Sequence, residues 1–143
     1  TFSKAYGLAG LRIGYALANP DLIDYLGRVK QPFNVDSIAQ AGALAALEDS
    51  KHLKETIAYN EQGKQYLYGQ FERLGLDYVP SESNFIMVDV GQSNEDVFDE
   101  MLKRGVIIRS LDSFGYQEKI RVTVGLPEQN QTFIQELKKA LGL

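Results

Sequence analysis

The sequence has no cysteine and only one histidine among its 143 residues. Without cysteine the chain can neither form a disulfide bond nor offer a thiolate to a metal ion. The histidine, His52, lies in a polar helical stretch beside Lys51 and Lys54, so we expect a solvated helix residue there. One histidine cannot supply a typical zinc ligand set. The composition therefore argues against a metal site, and equally against Ser–His–Asp catalysis.

Long hydrophobic runs and an excess of basic charge are also missing. No apolar stretch approaches the roughly 20 residues needed to cross a bilayer, and no signal-peptide pattern opens the chain. The 15 Lys and Arg residues are dispersed and stand against 19 Asp and Glu, which leaves a net charge of −4. We therefore expect neither a membrane nor a nucleic acid as a partner. Because the chain starts at Thr1 without an initiator methionine, we also expect further residues before it.

The composition that remains is that of an ordinary globular domain, with 44% hydrophobic and 24% charged residues. Hydrophobic periodicity and capping signals predict an α/β fold. The alanine-rich second helix is expected to turn Ile38, Ala41, Leu44 and Ala45 inward. The predicted helices lie near residues 20–30, 36–48, 51–74, 93–104 and 127–141, and the predicted strands at 11–18, 77–79, 84–90, 106–109 and 119–124.

The most informative segment is the first one, residues 1–15, where one lysine lies among small and hydroxyl residues with glycines close by. The Lys4 amine can form a Schiff base with an aldehyde. The hydroxyls of Thr1 and Ser3, backbone N–H groups and the fork of Arg12 can hold a phosphate. Glycines let the backbone approach a ligand closely. An aldehyde at one end and a phosphate at the other are the features of pyridoxal 5'-phosphate.

Residues 1–10 resemble, position by position, the lysine signature of the fold-type I pyridoxal-phosphate-dependent aminotransferases. The continuation over residues 11–15 looks like the histidinol-phosphate aminotransferase branch of that family. The lysine signature is specific to the superfamily, whereas the later segments narrow the branch only moderately. The resemblance extends to the end of the chain through Gln31-Pro32-Phe33-Asn34, Ser83-Asn84-Phe85, Val106-Ile107-Ile108-Arg109 and Ile120-Arg121-Val122-Thr123-Val124-Gly125.

The resemblance implies a role for each of these polar residues. Lys4 would anchor the cofactor and then move a proton between the substrate α-carbon and C4′ of the cofactor. Thr1, Ser3 and Arg12 would bind the cofactor phosphate. Arg121 would bind the substrate carboxylate and also face the phosphate of histidinol phosphate, and Arg109 would assist with that phosphate.

The resemblance also implies an architecture and an activity. The expected fold is the small C-terminal α/β domain of a fold-type I aminotransferase plus the last edge of its large domain. Residues 1–30 would end the large, cofactor-binding domain, and residues 31–143 would form the small domain with its connecting helices. The expected reaction is amino transfer between histidinol phosphate and 2-oxoglutarate in histidine biosynthesis, by a cytoplasmic homodimer acting on small amino-acid and phosphorylated amine substrates.

Other interpretations stay open at this point. Within the same chemistry they are an aromatic- or aspartate-type aminotransferase and a threonine-phosphate decarboxylase, which looks similar around the lysine. From a different class, the chain could be a non-catalytic α/β module that binds a partner. Lys4 could be an exposed loop lysine, and Thr1 and Ser3 could cap local turns. Arg121, which alternates with apolar neighbours, could lie on the wet face of an ordinary antiparallel sheet.

Arg12 could be a surface residue, but its neighbours in sequence argue against that. It lies between apolar neighbours in a predicted strand, where a buried cation needs a partner. Tyr6, Asn34 and Asn84 also lie in motif segments, but packing or turn roles are at least equally expected for them.

Several groups of a complete active site are absent from these residues. In the family that this chain resembles, three kinds of cofactor contact come from residues upstream of the lysine in sequence. They are the acid at the pyridine nitrogen, the groups at the ring oxygen and the aromatic residue that stacks on the ring. We therefore expect the 143 residues alone to be inactive. We also expect the first 18 residues to be mobile or paired with another molecule, because an apolar strand without neighbours exposes its backbone groups.

Overall fold

Capping side chains and periodic apolar residues build five helices and four strands, which we describe from a computed structural model covering residues 1–143. The predicted α/β class is confirmed. The elements are α1 (Pro20–Val29), α2 (Ser37–Glu48), α3 (Ser50–Leu74), β1 (Tyr78–Val79), β2 (Phe85–Asp89), α4 (Asn94–Lys103), β3 (Arg109–Ser110), β4 (Lys119–Thr123) and α5 (Pro127–Leu141).

Helix starts follow the sequence signals closely. The Asn19 side chain accepts a hydrogen bond from the amide of Asp21 at 2.9 Å, and the Ser93 hydroxyl accepts one from the amide of Asp96 at 3.3 Å. Asp36 caps α2 in the same way, with 2.7 Å between its carboxylate and the amide of Ala39. Each cap satisfies a backbone donor that a helix leaves unpaired in its first turn. The predicted starts of α1, α2 and α4 are confirmed.

The chain forms two compact units, Thr1–Ile57 and Ala58–Leu143. The division lies within α3, whereas the sequence analysis places a domain boundary near residue 30, and that boundary stays a prediction. No helix combines the length and the apolar character needed to cross a bilayer.

The second unit contains an antiparallel sheet with the strand order β1-β2-β4-β3. Strand alternation places Ile86, Val88, Ile120 and Val122 on the buried face. The opposite face carries the residues between them in sequence. The buried face packs into one core, whose members are Leu67, Phe71, Ile86, Val88, Val90, Val97, Met101, Ile108, Ile120, Val122, Phe133, Ile134 and Leu137.

Two strand predictions are wrong or too long. Residues 11–18 form no strand: Ala9–Leu11 are a 3-10 turn, Arg12 follows in the left-handed region with φ 52°, and the next residues are irregular. A strand needs a partner for its backbone groups, and no strand of this chain pairs with this segment. The strand predicted at 106–109 is reduced to Arg109–Ser110, which pairs with β4.

The inward face predicted for α2 is also wrong. Ile38 and Leu44 are 75% and 66% exposed, and the buried residues are Ala39 and Ala43. The reason is close packing of small residues, since a Cβ added at Gly42 would lie 2.9 Å from Leu11 Cδ1. The 3-10 turn therefore approaches α2 at Gly42, on the small-residue face of the helix rather than its bulky face.

Candidate functional site

The lysine-bearing loop, residues 1–14, closes around one buried aromatic ring. Phe2 is 3% exposed; its amide donates to the carbonyl of Ile13 at 3.2 Å, and its carbonyl accepts from the amide of Leu8 at 2.9 Å. The ring packs against Tyr6, with centroids 4.9 Å apart. Tyr6 is thus a packing residue. These contacts tie the two ends of the loop together.

Lys4 lies at the exposed tip of that loop. The amide of Gly7 donates to the Lys4 carbonyl at 2.9 Å, and Gly7 has φ 69°, a conformation that glycine adopts without strain. The turn therefore fixes the Lys4 backbone while its side chain points into solvent. A primary amine held this way can reach an electrophile that approaches from outside the loop.

Beside Lys4 the structure brings together the groups predicted to bind phosphate. Arg12 Nη1 donates to the carbonyl of Ala9 at 2.7 Å and lies 3.5 Å from Ser3 Oγ. The Ser3 amide in turn donates to Thr1 Oγ1 at 3.1 Å. A guanidinium and two hydroxyls within one short loop form a suitable donor set for an oxyanion.

The interactions that hold Arg12 in this position differ from those predicted. It is exposed rather than buried in a strand, and its φ of 52° is a strained conformation for a residue with a side chain. It forms no ion pair with Asp or Glu. Local hydrogen bonds, and not burial, therefore hold the guanidinium near Ser3.

The other predicted arginines lie in the second unit, on the sheet face away from the core. Arg109 in β3 and Arg121 in β4 are direct cross-strand partners. The Arg121 Cζ lies 4.8 Å from the centroid of the Phe85 ring, an interaction between a cation and an aromatic face. Phe85 was not predicted as a site residue, although the alternation of strand 84–90 places it on the same face as Met87.

The two arginines carry like charges that no acidic side chain of the chain neutralises. Like charges directly opposite each other on adjacent strands destabilise a sheet, and neither arginine forms an ion pair with Asp or Glu. In addition, Arg121 Nε is buried and has no hydrogen-bond partner. A bound anion would offset the repulsion between the two guanidinium groups. The face formed by Arg109, Arg121 and Phe85 is therefore a candidate anion site.

Two further motif residues have modest roles. Asn34 is exposed, and the carbonyl of Asn84 accepts from the amide of Val124 at 2.9 Å, a backbone contact that any residue could make. Of the predicted polar residues, Thr1, Ser3, Lys4 and Arg12 lie in the first unit, and Arg109 and Arg121 lie in the second.

Comparison with known proteins finds similarity along nearly the whole chain. The model of a family described as aminotransferase class I and II matches residues 1–137. A histidinol-phosphate aminotransferase of Moorella thermoacetica is 52% identical over 142 residues, which cover 99% of this chain and 37% of that protein. The chain thus spans little more than a third of this curated relative's length.

Solved structures show the same fold. The histidinol-phosphate aminotransferase of Sinorhizobium meliloti, solved in complex with pyridoxal-5'-phosphate, has 30% identity and a TM-score of 0.86, covering 99% of this chain and 40% of that one. The L-threonine-O-3-phosphate decarboxylase of Porphyromonas gingivalis has 25% identity and a TM-score of 0.83, covering 100% and 46% of the two chains.

Proposed function

The chain belongs to the aminotransferase class I and II family, and from this membership we propose that it is part of a pyridoxal-phosphate-dependent aminotransferase. The proposed reaction is amino transfer between histidinol phosphate and 2-oxoglutarate in histidine biosynthesis. The observation that carries the proposal is the lysine-bearing loop, where Ser3, the neighbour of Lys4 in sequence, lies 3.5 Å from the Arg12 guanidinium through its hydroxyl and donates its amide to Thr1 Oγ1.

The donor set of this loop suits pyridoxal phosphate, which supplies an aldehyde and an electron sink when it is bound. Arg12, Ser3 and Thr1 would hold its phosphate, and Lys4 would anchor its aldehyde end. Once released by the amino substrate, the Lys4 amine would take a proton from the substrate α-carbon and pass it to C4′ of the cofactor. The exposed loop tip gives this amine freedom to move while the Lys4 backbone stays fixed by Gly7.

The substrate would be bound through its anionic groups. The Arg109–Arg121 pair offers two guanidinium groups on one sheet face. One fork can bind a carboxylate and a phosphate in alternate half-reactions. The relative from Moorella thermoacetica, a histidinol-phosphate aminotransferase, supports this choice of substrate.

A decarboxylase of threonine phosphate is the second candidate, since the Porphyromonas gingivalis enzyme shares this fold over the whole chain. Its substrate named there also carries a phosphate, which the same arginines would recognise. We further propose, from the family resemblance, that the protein works in the cytoplasm as a homodimer on small-molecule substrates alone. Size-exclusion chromatography with light scattering tests the dimer.

The test compares substrates with the full gene product that contains these residues. We expect amino transfer from glutamate to imidazole-acetol phosphate to have the highest kcat/KM. A preference for phenylpyruvate by more than about tenfold, which corresponds to about 1.4 kcal/mol, would overturn the substrate assignment. Release of carbon dioxide from O-phosphothreonine would identify the decarboxylase instead. A native gene product that starts near Thr1 and binds no cofactor would favour the non-catalytic module.

A further inference from the structure

Lys64 is a buried lysine in α3 whose role no motif explains. Its side chain is 7% exposed, its Nζ donates to the carbonyl of Ser81 at 2.8 Å, and it pairs with Glu61 at 2.9 Å. The hydrogen bond with Glu61 is the main reason that the pKa of Lys64 is raised. Burying an ammonium is costly unless it is paired and hydrogen-bonded. An apolar side chain would fill the same position without this desolvation cost, but it could not donate to the carbonyl of Ser81. That hydrogen bond is therefore what distinguishes a lysine at this position.

Lys64 is one of three α3 side chains that hold the same short segment, Ser81–Ser83. The hydroxyl oxygen of Tyr68 accepts from the amide of Ser81 at 2.8 Å, and Asn60 Nδ2 donates to the carbonyl of Ser83 at 3.1 Å. Together these contacts bind both ends of the segment to one rigid helix.

This segment leads directly into the sheet face formed by Arg109, Arg121 and Phe85. Two residues after Ser83 comes Phe85, the first residue of β2, whose ring lies against the guanidinium of Arg121. The path of the chain into β2, and with it the place of that ring, is therefore held by the α3 contacts before the strand as well as by the pairing of β2 with β4.

Helix α3 also contacts the end of the neighbouring strand. A Cβ added at Gly63 would lie 2.4 Å from Val124 Cγ1, so only glycine allows this approach. The amide of Val124 donates to the carbonyl of Asn84 at 2.9 Å, which joins the end of β4 to the start of β2. The one-turn stretch Asn60–Lys64 thus lies against both strand ends that frame Phe85 and Arg121.

We propose that Lys64 is a positioning residue for Arg121: by fixing Ser81, it places the Phe85 ring against the guanidinium and so orients the fork toward an anionic substrate. This inference rests on the proposed function, because it takes Arg121 as the substrate-binding residue. Small displacements of a binding group are costly to catalysis, which gives a distant lysine a measurable effect.

The first measurement is kinetic and uses the full gene product. We expect Lys64→Met to raise KM for glutamate about fivefold while kcat changes less than about twofold, as for loss of binding that the ground state and the transition state share. Lys64→Arg, which keeps a buried donor, should restore most of the affinity. Asn60→Ala, which frees the other end of the segment, should act in the same direction and keeps the test valid if Lys64→Met does not fold.

The matched control is Leu137→Ala in α5, a buried core residue that takes part in none of the hydrogen bonds between α3 and the Ser81–Ser83 segment. It should lower Tm without changing KM. If Leu137→Ala raises KM as much as Lys64→Met does at an equal loss of Tm, Lys64 only stabilises the fold and the inference is wrong.

The second measurement follows the Arg121 Nε–Hε NMR signal in the full gene product, with arginine selectively labelled. We expect Lys64→Met to shift this signal, because the proton lies in the ring current of Phe85, and Leu137→Ala to leave it unchanged. An unchanged signal in Lys64→Met overturns the inference.

Arg121→Ala separates this inference from the proposed function. If Arg121→Ala leaves KM for glutamate unchanged, the proposed role of Arg121 fails, whatever the NMR signal shows. If Arg121→Ala raises KM and Lys64→Met does not, only the role of Lys64 fails. If both raise KM, the double variant should show a KM close to that of Arg121→Ala alone, whereas additive effects would overturn the inference.

Discussion

The two units hold their candidate site residues by different means. In Thr1–Ile57 the buried apolar residues are only Phe2, Ala39 and Ala43, and local hydrogen bonds fix Lys4 and Arg12. In Ala58–Leu143 a continuous core lies behind the sheet, and Arg121 is placed by strand register. A short closed loop is thus enough to hold the backbone of Lys4, whereas the alignment of Arg109 with Arg121 comes from strand register.

The largest effect is expected at Lys4. In the full gene product, Lys4→Ala should reduce kcat by at least about 10³-fold, in the range expected for loss of an acid–base group. It should also remove the imine absorbance of the bound cofactor. Lys30→Ala, another exposed lysine of the same unit, is the control and should change neither. A reducible cofactor adduct that persists in Lys4→Ala would show that another lysine is the anchor.

The second prediction tests the contrast in packing. Amides of residues 13–18 donate no backbone hydrogen bond, whereas those of β4 lie within a paired sheet. In a monomeric sample of this chain we expect amide exchange at residues 14–18 to be at least about 10³-fold faster than in β4, because local opening requires little free energy there. Strong protection of residues 14–18 in that sample would contradict it.

The third prediction concerns the phosphate donors. Arg12→Ala should weaken cofactor binding by about 1.5–3 kcal/mol, as for removal of a charged hydrogen-bond partner. Fluorescence titration of the apo full gene product measures the change. Arg28→Ala, an exposed arginine in α1 that pairs with Asp24, should have no effect. Equal affinities of Arg12→Ala and the parent would remove Arg12 from the site.

The fourth prediction separates the members of the arginine pair. Arg121→Ala should lower kcat/KM about tenfold or more for both glutamate and the phosphorylated substrate, since one fork would bind both anions. Arg109→Ala should affect the phosphorylated substrate more than glutamate. Arg73→Ala, an exposed arginine at the end of α3, is the control. Equal losses for both substrates in Arg109→Ala would mean that this residue only supports the sheet.

Much of the second unit could be predicted from its sequence, because its helices and strands carry their own signals and find their partners within the chain. The strands β2 and β4 lie within the predicted ranges, and Ser93 caps α4 as expected. Strand β3 forms at Arg109–Ser110 and not at the predicted residues 106–109, because it is Arg109 and Ser110 that pair with β4. Such pairing depends on contacts distant in sequence.

The first unit shows where sequence reasoning fails. An apolar run such as residues 11–18 is read as a strand, but without a pairing strand its backbone takes an irregular path. In α2 the rule that bulky residues face inward gives the wrong face, because the close approach of Leu11 to Gly42 selects the small residues. Steric fit of this kind has no periodic signature.

The motifs predict which residues form the candidate site, and their roles stay predictions, whereas the geometry of these residues could not be predicted. The lysine motif identified Lys4, Ser3 and Arg12, and the structure shows the contact between the last two. That Arg109 lies directly opposite Arg121 depends on register. The buried Lys64 looks like any charged helix residue in the sequence, since its burial results from the path of the Ser81–Ser83 segment.

The smallest expected effect concerns a partly buried ion pair in the unit Ala58–Leu143. Asp89 and Lys119 are cross-strand partners with an ion pair, and their side chains are 27% and 30% exposed. The hydrogen bond from Lys119 lowers the pKa of Asp89, and the same bond raises the pKa of Lys119. In the first unit, by contrast, the Arg28–Asp24 pair is exposed on both sides.

Because the pKa of Asp89 is lower in the folded chain, its contribution to stability is present above the unfolded value near 4 and is lost as the pH falls through the folded value. The contribution of Lys119 is present below the unfolded value near 10.4 and is lost as the pH rises through the folded value.

Asp89→Asn should therefore lower the free energy of unfolding by roughly 1 kcal/mol at pH 7. In strong acid, where the parent carboxylate is protonated, the difference should shrink. Urea unfolding at both pH values measures it, with Asp24→Asn as the exposed control that should change little at either pH. A loss in Asp89→Asn that stays the same in strong acid would assign it to side-chain packing and not to charge.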